Sequence, residues 1–217
     1  MKRTSAEILR EYGPFPGVET VAGVSFDGDK VWFATGDRLT ALDPDSGETS
    51  RTLEIGADAG TAFDGKHLFQ IAETVIRKID PETGAVLATI PAPGEGGDSG
   101  LAWAEGTLWV GQHRGCRIHQ VDPETGEILR TIETDRFVTG VTWVDGEFWH
   151  GTWQDDRSDI RRIDPETGEV LECLEMPEGT GVSGMESDGA GRFFCGGGGS
   201  GKVRAVRRPG AGDIQSE

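Results

Sequence analysis

A five-residue Asp-Pro-x-x-Gly motif recurs four times in the chain, and this repeat constrains the fold more than any other feature. Its copies are 37, 42 and 42 residues apart, and each lies between two short segments of alternating apolar and polar residues. Self-similarity at a period of about 40 residues is typical of folds built from repeated supersecondary units. The copies are Asp43-Pro44-Asp45-Ser46-Gly47, Asp80-Pro81-Glu82-Thr83-Gly84, Asp122-Pro123-Glu124-Thr125-Gly126 and Asp164-Pro165-Glu166-Thr167-Gly168.

Each unit opens with a glycine and a short strand, and an aromatic strand follows. Five such openings occur, one more than the motif itself, at Gly23, Gly60, Gly100, Gly140 and Gly184. Four short strands in a unit of about 40 residues is the pattern of a propeller blade. The sequence therefore predicts an all-β fold, a five-bladed β-propeller with four-stranded antiparallel blades.

We predict one propeller domain over residues 1–217, with the ring closed by the N-terminus. The fifth unit ends after its third strand, whereas Glu7-Ile8-Leu9-Arg10 matches the outer-strand segment Glu127-Ile128-Leu129-Arg130. Residues 5–12 are therefore expected to supply the missing fourth strand, which leaves no open sheet at the seam. The predicted blades span about 20–56, 57–94, 95–134, 135–176, and 177–208 plus 5–12.

The composition limits the partners. A formal net charge of −17 argues against nucleic acid or an anionic membrane surface as a partner, because both need clustered Lys and Arg. No apolar run is long enough to span a bilayer, and no apolar segment follows the basic residues Lys2 and Arg3, so we expect no signal peptide. Three cysteines do not make a disulfide framework, which favours a cytoplasmic protein. The oligomeric state is left open.

The repeats differ on one face of the predicted disc. With strands A to D counted from the channel outward, the A–B turns and the Asp-Pro turns between C and D share one face and repeat closely. The B–C and D–A connections share the other face, which we call the mouth face, and there the blades differ. Function concentrates on variable loops held by a rigid scaffold. We therefore predict the functional site at the channel mouth, and we assign the Asp-Pro motif to turn structure.

Blade four carries a resemblance to a known family. Its segments Phe137-Val138-Thr139-Gly140-Val141, Phe148-Trp149-His150-Gly151-Thr152 and Ser158 to Asp164 resemble the blade pattern of glutamine cyclotransferase-like five-bladed propellers. That family has an F-T-Q-G-L opening, a Y-E-S-T-G second strand and S-x-L-R-R-[IV]-D. The resemblance implies a cyclotransferase-like enzyme, and a looser likeness extends to streptogramin lyase-type propellers. The family's Gln falls at Thr139 and its Glu at His150, so this chain lacks the family's carboxylate there.

Glu186 is the first catalytic candidate. Its strand A equivalents all have small side chains, and a carboxylate near apolar walls gains a raised pKa suited to proton transfer. The alternative is that Glu186 simply reaches water in the channel. His150 and Cys195 occupy equivalent strand B positions in neighbouring blades. They are interpreted either as a polar pair that a substrate bridges or as ordinary buried residues. The strand A equivalents of Glu186 in the other four blades are Ser25, Ala62, Ala102 and Thr142.

The mouth loops supply the remaining candidates. We predict His113, together with His150, as a catalytic proton-transfer partner of Glu186, and Arg114 as the holder of a substrate carboxylate. For His113 and Arg114 the alternative is a plain solvated loop. Trp153 is expected to stack on a ligand. The further predicted substrate contacts are Gln112, Gln154, Thr139 and Cys195.

We predict no cofactor and no bound metal. The leading hypothesis is a small-molecule or peptide-modifying enzyme of the cyclotransferase or lyase kind. A non-catalytic propeller that binds a ligand or protein at the same mouth is the alternative, and an interaction module with an acidic rim is a third.

Overall fold

The computed structural model of the protein describes residues 1–210, and every regular element within them is a β-strand. The strands form five separate sheets, one for each predicted blade. The structure thus confirms the five-bladed propeller. No helix in the described part of the chain has the length and apolarity needed to cross a membrane.

The chain begins with two strands that belong to the last two blades, and four blades then follow in sequence order. The opening strands are β1 (Lys2–Ser5) and β2 (Ile8–Tyr12). Blade one has β3 (Gly23–Phe26), β4 (Val31–Ala34), β5 (Leu39–Leu42) and β6 (Thr49–Leu53). Blade two has β7 (Thr61–Phe63), β8 (Leu68–Ala72), β9 (Val75–Ile79) and β10 (Val86–Pro91).

Strands are longest in blades three and four, and blade five again has short strands. Blade three has β11 (Asp98–Ala104), β12 (Thr107–Gln112), β13 (Arg117–Val121) and β14 (Ile128–Glu133). Blade four has β15 (Phe137–Val144), β16 (Glu147–Gln154), β17 (Arg157–Ile163) and β18 (Val170–Glu175). Blade five has β19 (Met185–Ser187), β20 (Arg192–Gly196) and β21 (Val203–Arg207).

The N-terminus closes the ring as predicted, and it also does something the sequence did not indicate. Strand β2 pairs antiparallel with β21, with Tyr12 opposite Val203, and so becomes the outer strand of blade five. Strand β1 pairs parallel with β18, with Arg3 opposite Cys173, as a fifth strand on blade four. The first twelve residues therefore tie the last two blades together.

The five opening glycines meet around the channel axis, and we call them the glycine ring. An added Cβ on each would collide with the backbone of the next blade, because the strands approach so closely. At Gly140 it would lie 2.7 Å from the Met185 nitrogen, and at Gly184 it would lie 2.7 Å from the Gly23 Cα. The last contact joins blade five to blade one. A side chain at these positions would force the blades apart.

The apolar core consists of five clusters of buried residues, each spanning two neighbouring blades. The regular aromatic residues of strand B pack in these clusters, as expected. Phe69, for example, stacks on Trp103 of the next blade with ring centroids 5.5 Å apart. Burial of such large side chains is the main favourable term that holds the ring together.

The Asp-Pro motif is a turn, as predicted. In the third copy, the Asp122 carboxylate accepts the amides of Glu124 and Thr125 at 2.9 and 2.8 Å, and Gly126 takes a positive φ of 77°. The other three copies repeat these contacts. Because one oxygen of each carboxylate accepts two amides of its own turn, turn formation accounts for the motif.

Candidate functional site

A pocket of about 420 Å³ opens on the mouth face above blades three, four and five. D–A segments supply one side and B–C loops supply the other, as the sequence predicted for a site at the mouth. The lining residues are Ser99, His113, Thr139, Trp153, Gly179, Gly181, Val182, Ser183, Gly197, Gly198, Gly199 and Ser200. We call this cavity the mouth pocket; it contains three predicted site residues, His113, Thr139 and Trp153.

Three hydroxyl side chains line the floor of the mouth pocket. Ser99, Thr139 and Ser183 each come directly before a glycine of the ring, so they lie just on the mouth side of the constriction. The residues at the same place in blades one and two are Ala22 and Ala59. Hydroxyl groups therefore occur in one sector of the ring, and that sector is where the pocket lies.

The three hydroxyls differ in their partners. The Ser99 hydroxyl donates to the Val138 carbonyl oxygen at 2.6 Å, and the Ser183 hydroxyl donates to the Val21 carbonyl oxygen, in each case across to the next blade. The Thr139 hydroxyl is buried and has no hydrogen-bond partner in the described residues. A buried hydroxyl without a partner costs free energy, and here the Thr139 side chain lines the pocket while its hydroxyl oxygen is covered by protein.

His113 places an imidazole on the wall of the mouth pocket. Its ring packs against Phe137 with centroids 4.9 Å apart, and its amide donates to the Gly97 carbonyl oxygen at 3.1 Å. Burial lowers the pKa of His113 below its ordinary 6.5, and the positive charge of Arg114 lowers it further. The imidazole is therefore neutral at pH 7 and able to accept a proton.

A glycine-rich loop forms the opposite wall, and we call residues 197–201 the glycine loop. The Gly198 amide donates to the Ser183 hydroxyl at 2.9 Å, whereas the Gly199 amide donates to no acceptor within residues 1–210. Nearby, Trp153 lies over Gly181, where an added Cβ would be 3.2 Å from the indole. The pocket lining thus combines the Trp153 indole, the neutral His113 imidazole, the Thr139 side chain and the Gly199 amide.

Glu186 lies away from the mouth pocket. It follows Gly184 by two residues on β19, so it is on the opposite side of the glycine ring from Ser183. The Thr142 hydroxyl and the Ser187 amide donate to its carboxylate, the amide at 2.9 Å. Burial nevertheless raises the pKa of Glu186 to about 7. The perturbed acid expected from the sequence is present, but the structure does not bring it to the pocket.

His150 is also outside the mouth pocket. Its side chain is fully buried, with Nδ1 3.4 Å from the Gly151 carbonyl oxygen and Nε2 without a partner in the described residues. Burial lowers the pKa of His150 to about 4, and the neighbouring Arg161 guanidinium adds to this shift. The ring is therefore neutral and shut off from solvent. Glu186 and His150 do not share a site with each other or with His113.

The other predicted contacts are scattered. Cys195 is fully buried, and burial raises the pKa of its thiol to about 12, so it is an unreactive core residue at neutral pH. Arg114 is exposed, and Gln112 lies opposite Asp98 in blade three. The Gln154 carbonyl oxygen accepts from Arg136 at 3.3 Å. None of these four lines the mouth pocket.

A second cavity of about 660 Å³ lies at the rim of blade four. Its buried centre is Asp159, which accepts from Arg161 at 2.7 Å and from Arg136 at 2.6 Å. Arg161 also pairs with Asp135. These charges neutralise one another, so they indicate a structural network that joins strands of blade four. No metal-ligating cluster of His, Cys, Asp and Glu occurs anywhere in the described residues.

Sequence reasoning missed the hydroxyls of Ser99 and Ser183, the glycine loop as a pocket wall, and the buried Arg204 behind that loop. A signal for the hydroxyls existed, because the residue before each ring glycine changes from Ala in two blades to Ser or Thr in three. Arg204 had a weaker signal. It is the strand C residue opposite Cys195, at a position that is polar in every blade.

Comparisons with known proteins agree with the fold. A family model described as PQQ_2, outer membrane protein assembly factor BamB, matches residues 72–212. The crystal structure of Myxococcus xanthus glutaminyl cyclase is similar with a TM-score of 0.76 at 20% identity, over 95% of this chain and 97% of that one. A search of curated proteins gave no match.

Two further solved structures are more distant. A chain of the mitotic checkpoint complex is similar with a TM-score of 0.59 at 13% identity, over 92% of this chain and 91% of that one. A chain of Kuenenia stuttgartiensis hydrazine synthase gives 0.52 at 16% identity, over 82% of this chain and 56% of that one. At such identities these likenesses establish the fold alone.

Proposed function

The chain belongs to the PQQ_2 family, that of the outer membrane protein assembly factor BamB, and from this premise we propose that it binds and modifies a small molecule or a peptide end in the mouth pocket. The proposed chemistry is of the cyclotransferase or lyase kind. The likeness in fold to a glutaminyl cyclase supports this choice as an analogy. The observation that carries the proposal is that the neutral His113 imidazole and the Thr139 side chain, whose hydroxyl has no partner in residues 1–210, line the same pocket.

His113 is the proton-transfer group in this proposal. In a cyclotransferase-like step, the substrate's amine attacks its own carbonyl carbon, a C–N bond forms, and the imidazole takes the proton that the amine loses. The imidazolium then returns that proton to the leaving ammonia as the old C–N bond breaks. Thr139 would turn its hydroxyl toward the carbonyl oxygen as that oxygen gains charge, and Trp153 forms the apolar wall.

The test is turnover of a metabolite and short-peptide mixture, followed by mass spectrometry. We expect His113→Gln to lower turnover by a factor of about 100 or more, the usual contribution of a positioned proton-transfer group. His67→Gln is the matched control, because His67 lies on the other face and bonds Asp64. Equal turnover in the two variants would contradict a catalytic role for His113.

A second candidate is a propeller that binds a ligand or a protein without turnover. The specific observation in its favour is that no carboxylate lines the mouth pocket, so His113 would work without an acid partner. The family's description as an assembly factor points the same way. Saturable binding of a mixture component, with no new product mass and with loss of binding in Trp153→Ala, would favour this candidate.

Composition carries two further proposals that the geometry does not address. The charge of −17 supports a partner that is neither nucleic acid nor an anionic membrane. The cysteines Cys116, Cys173 and Cys195 are free thiols in the structure, which supports the proposed cytoplasmic location.

A further inference from the structure

We propose that the glycine loop and Arg204 form a subsite for the carboxylate of the ligand in the mouth pocket. This inference rests on the proposed binding function and specifies the chemical class of the ligand. The sequence offered Arg114 for this task, but Arg114 is exposed and does not line the pocket. Arg204 is only 4% exposed and lies directly behind a wall of the pocket.

The guanidinium of Arg204 is held against the glycine loop. Its Nη1 lies 3.4 Å from the Gly181 carbonyl oxygen and its Nη2 lies 3.5 Å from the Ser200 hydroxyl oxygen. A Cβ added to Gly197 would lie 2.6 Å from Nη1, so the loop lies on the cation because glycine occupies that position. Gly181, Gly197 and Ser200 all line the mouth pocket, so the cation is one residue layer away from a ligand.

The loop presents donors in front of this charge. Because Arg204 donates to the Ser200 oxygen, the Ser200 hydroxyl keeps its own proton to donate outward. The Gly199 amide has no acceptor within residues 1–210. Two donors backed by a desolvated cation form an anion-binding arrangement that needs no helix N-terminus.

The charge balance indicates a monoanion. Arg204 and Lys202 both pair with Glu11, at 2.8 and 2.9 Å, so the cluster has one net positive charge. No charged side chain lines the pocket, and the whole chain is strongly acidic. A carboxylate matches one net charge, and the pocket volume suits a small acid or the last residues of a peptide.

The experiment compares acids with their neutral amides by calorimetry. The probes are 3-phenylpropionate and 3-phenylpropionamide for a small acid, and Gly-Gly-Phe with its C-terminal amide for a peptide end. We expect the acid of at least one pair to bind about tenfold more tightly than its amide, the size of one charge-assisted hydrogen bond. The pair with the larger preference identifies the source of the carboxylate.

Variants locate the effect. Arg204→Gln should abolish the preference for acid. Lys202→Gln removes the same charge from a side chain that pairs with Glu11 and makes no side-chain hydrogen bond to the loop in residues 1–210, so it should retain most of the preference. Glu11→Gln should increase the preference, because it removes the neutralising carboxylate from an exposed position without touching the pocket. That variant keeps the test valid if Arg204→Gln fails to fold.

Three results would overturn the subsite. If amides bind as tightly as acids, the pocket remains a ligand site and the carboxylate preference is wrong. If none of the four probes binds, the subsite is also wrong, while turnover of other compounds by the wild type still supports the proposed function. An unchanged preference in both Arg204→Gln and Glu11→Gln would assign the selectivity to another part of the pocket.

Discussion

Two buried titratable groups of opposite sign, His150 and Glu186, should make stability respond to pH in opposite directions. Burial lowers the pKa of His150 from 6.5 to about 4 and raises the pKa of Glu186 from 4.5 to about 7. Between pH 4 and 6.5 the unfolded chain binds a proton at His150 that the folded chain does not, so stability rises with pH. Between pH 4.5 and 7 the folded chain binds a proton at Glu186 that the unfolded chain does not, so stability falls with pH.

The magnitudes follow from these intervals. Each pH unit between the folded and unfolded pKa values is worth about 1.4 kcal/mol of unfolding free energy. For the fully buried His150 this gives a loss of about 3 kcal/mol below pH 4. For Glu186, which keeps some exposure, it gives a loss of about 2 to 3 kcal/mol above pH 7. Across pH 4.5 to 6.5 the two slopes nearly cancel in the wild type.

Single variants should separate the two opposing pH dependences of the unfolding free energy. In His150→Gln, the stability relative to wild type should increase by about 3 kcal/mol as the pH falls from 7 to 4. Glutamine suits this site, since the equivalent Gln70 is buried and donates to the Ile71 carbonyl oxygen at 2.6 Å. In Glu186→Gln, the relative stability should instead increase by about 2 to 3 kcal/mol as the pH rises from 4.5 to 7.

Urea unfolding followed by tryptophan fluorescence at half-unit steps from pH 4 to 7.5 measures these differences. Packing changes caused by either substitution shift a curve by a constant amount, so only the pH-dependent part of each difference is informative. The double variant should show the sum of the two trends. Parallel curves for the wild type and both single variants would refute the assignment of the two perturbed groups.

Three further outcomes follow from the structure. Gly140→Ala should lose about 1 to 3 kcal/mol because its Cβ would meet the neighbouring blade, whereas Gly199→Ala has no atom within 4 Å and should be neutral, as thermal unfolding would show. Arg114→Gln should move the acid limb of a pH–rate profile that depends on His113 to higher pH, because it removes a charge that lowers the pKa of that imidazole. Deleting β1 alone should leave a closed ring, whereas deleting β1 and β2 together should reduce the urea midpoint strongly, since blade five then lacks its outer strand.

The architecture was predictable because each repeat carries the same sequence pattern for one blade. The pattern consists of a glycine opening in all five blades, an Asp-Pro turn in four of them and an aromatic second strand. Strand β2 supplies the one outer strand that the fifth repeat lacks. The pairing of β1 with the outer strand of blade four was not predictable. Its residues Lys2–Ser5 are all exposed, so no apolar alternation marks them as a strand.

The site was only partly predictable, for a geometric reason. Sequence alignment of the blades gives a residue's strand and its position along that strand, but not that the ring glycines close in so tightly that they separate that position from the mouth. Glu186 has a raised pKa, yet two residues of extended chain carry it past Gly184 and away from the pocket. His113 and Trp153 line the pocket, because both lie at B–C connections on the mouth face.

A symmetric ring has five equivalent positions at its mouth, so a single pocket requires the blades to differ. In this protein two differences between the blades account for the position of the pocket. In blade one, Phe15 of the segment that follows β2 stacks on Phe33 at 4.6 Å, and Val21 bridges to Gly198, so chain covers that part of the mouth face. The uncovered sector lies above blades three to five, where alanine gives way to hydroxyl residues before the ring glycines. Because the strand that closes the ring leads into the segment that covers one side of its mouth, and Val21 of that segment bridges to Gly198 of the pocket wall, loss of β2 should weaken ligand binding together with stability.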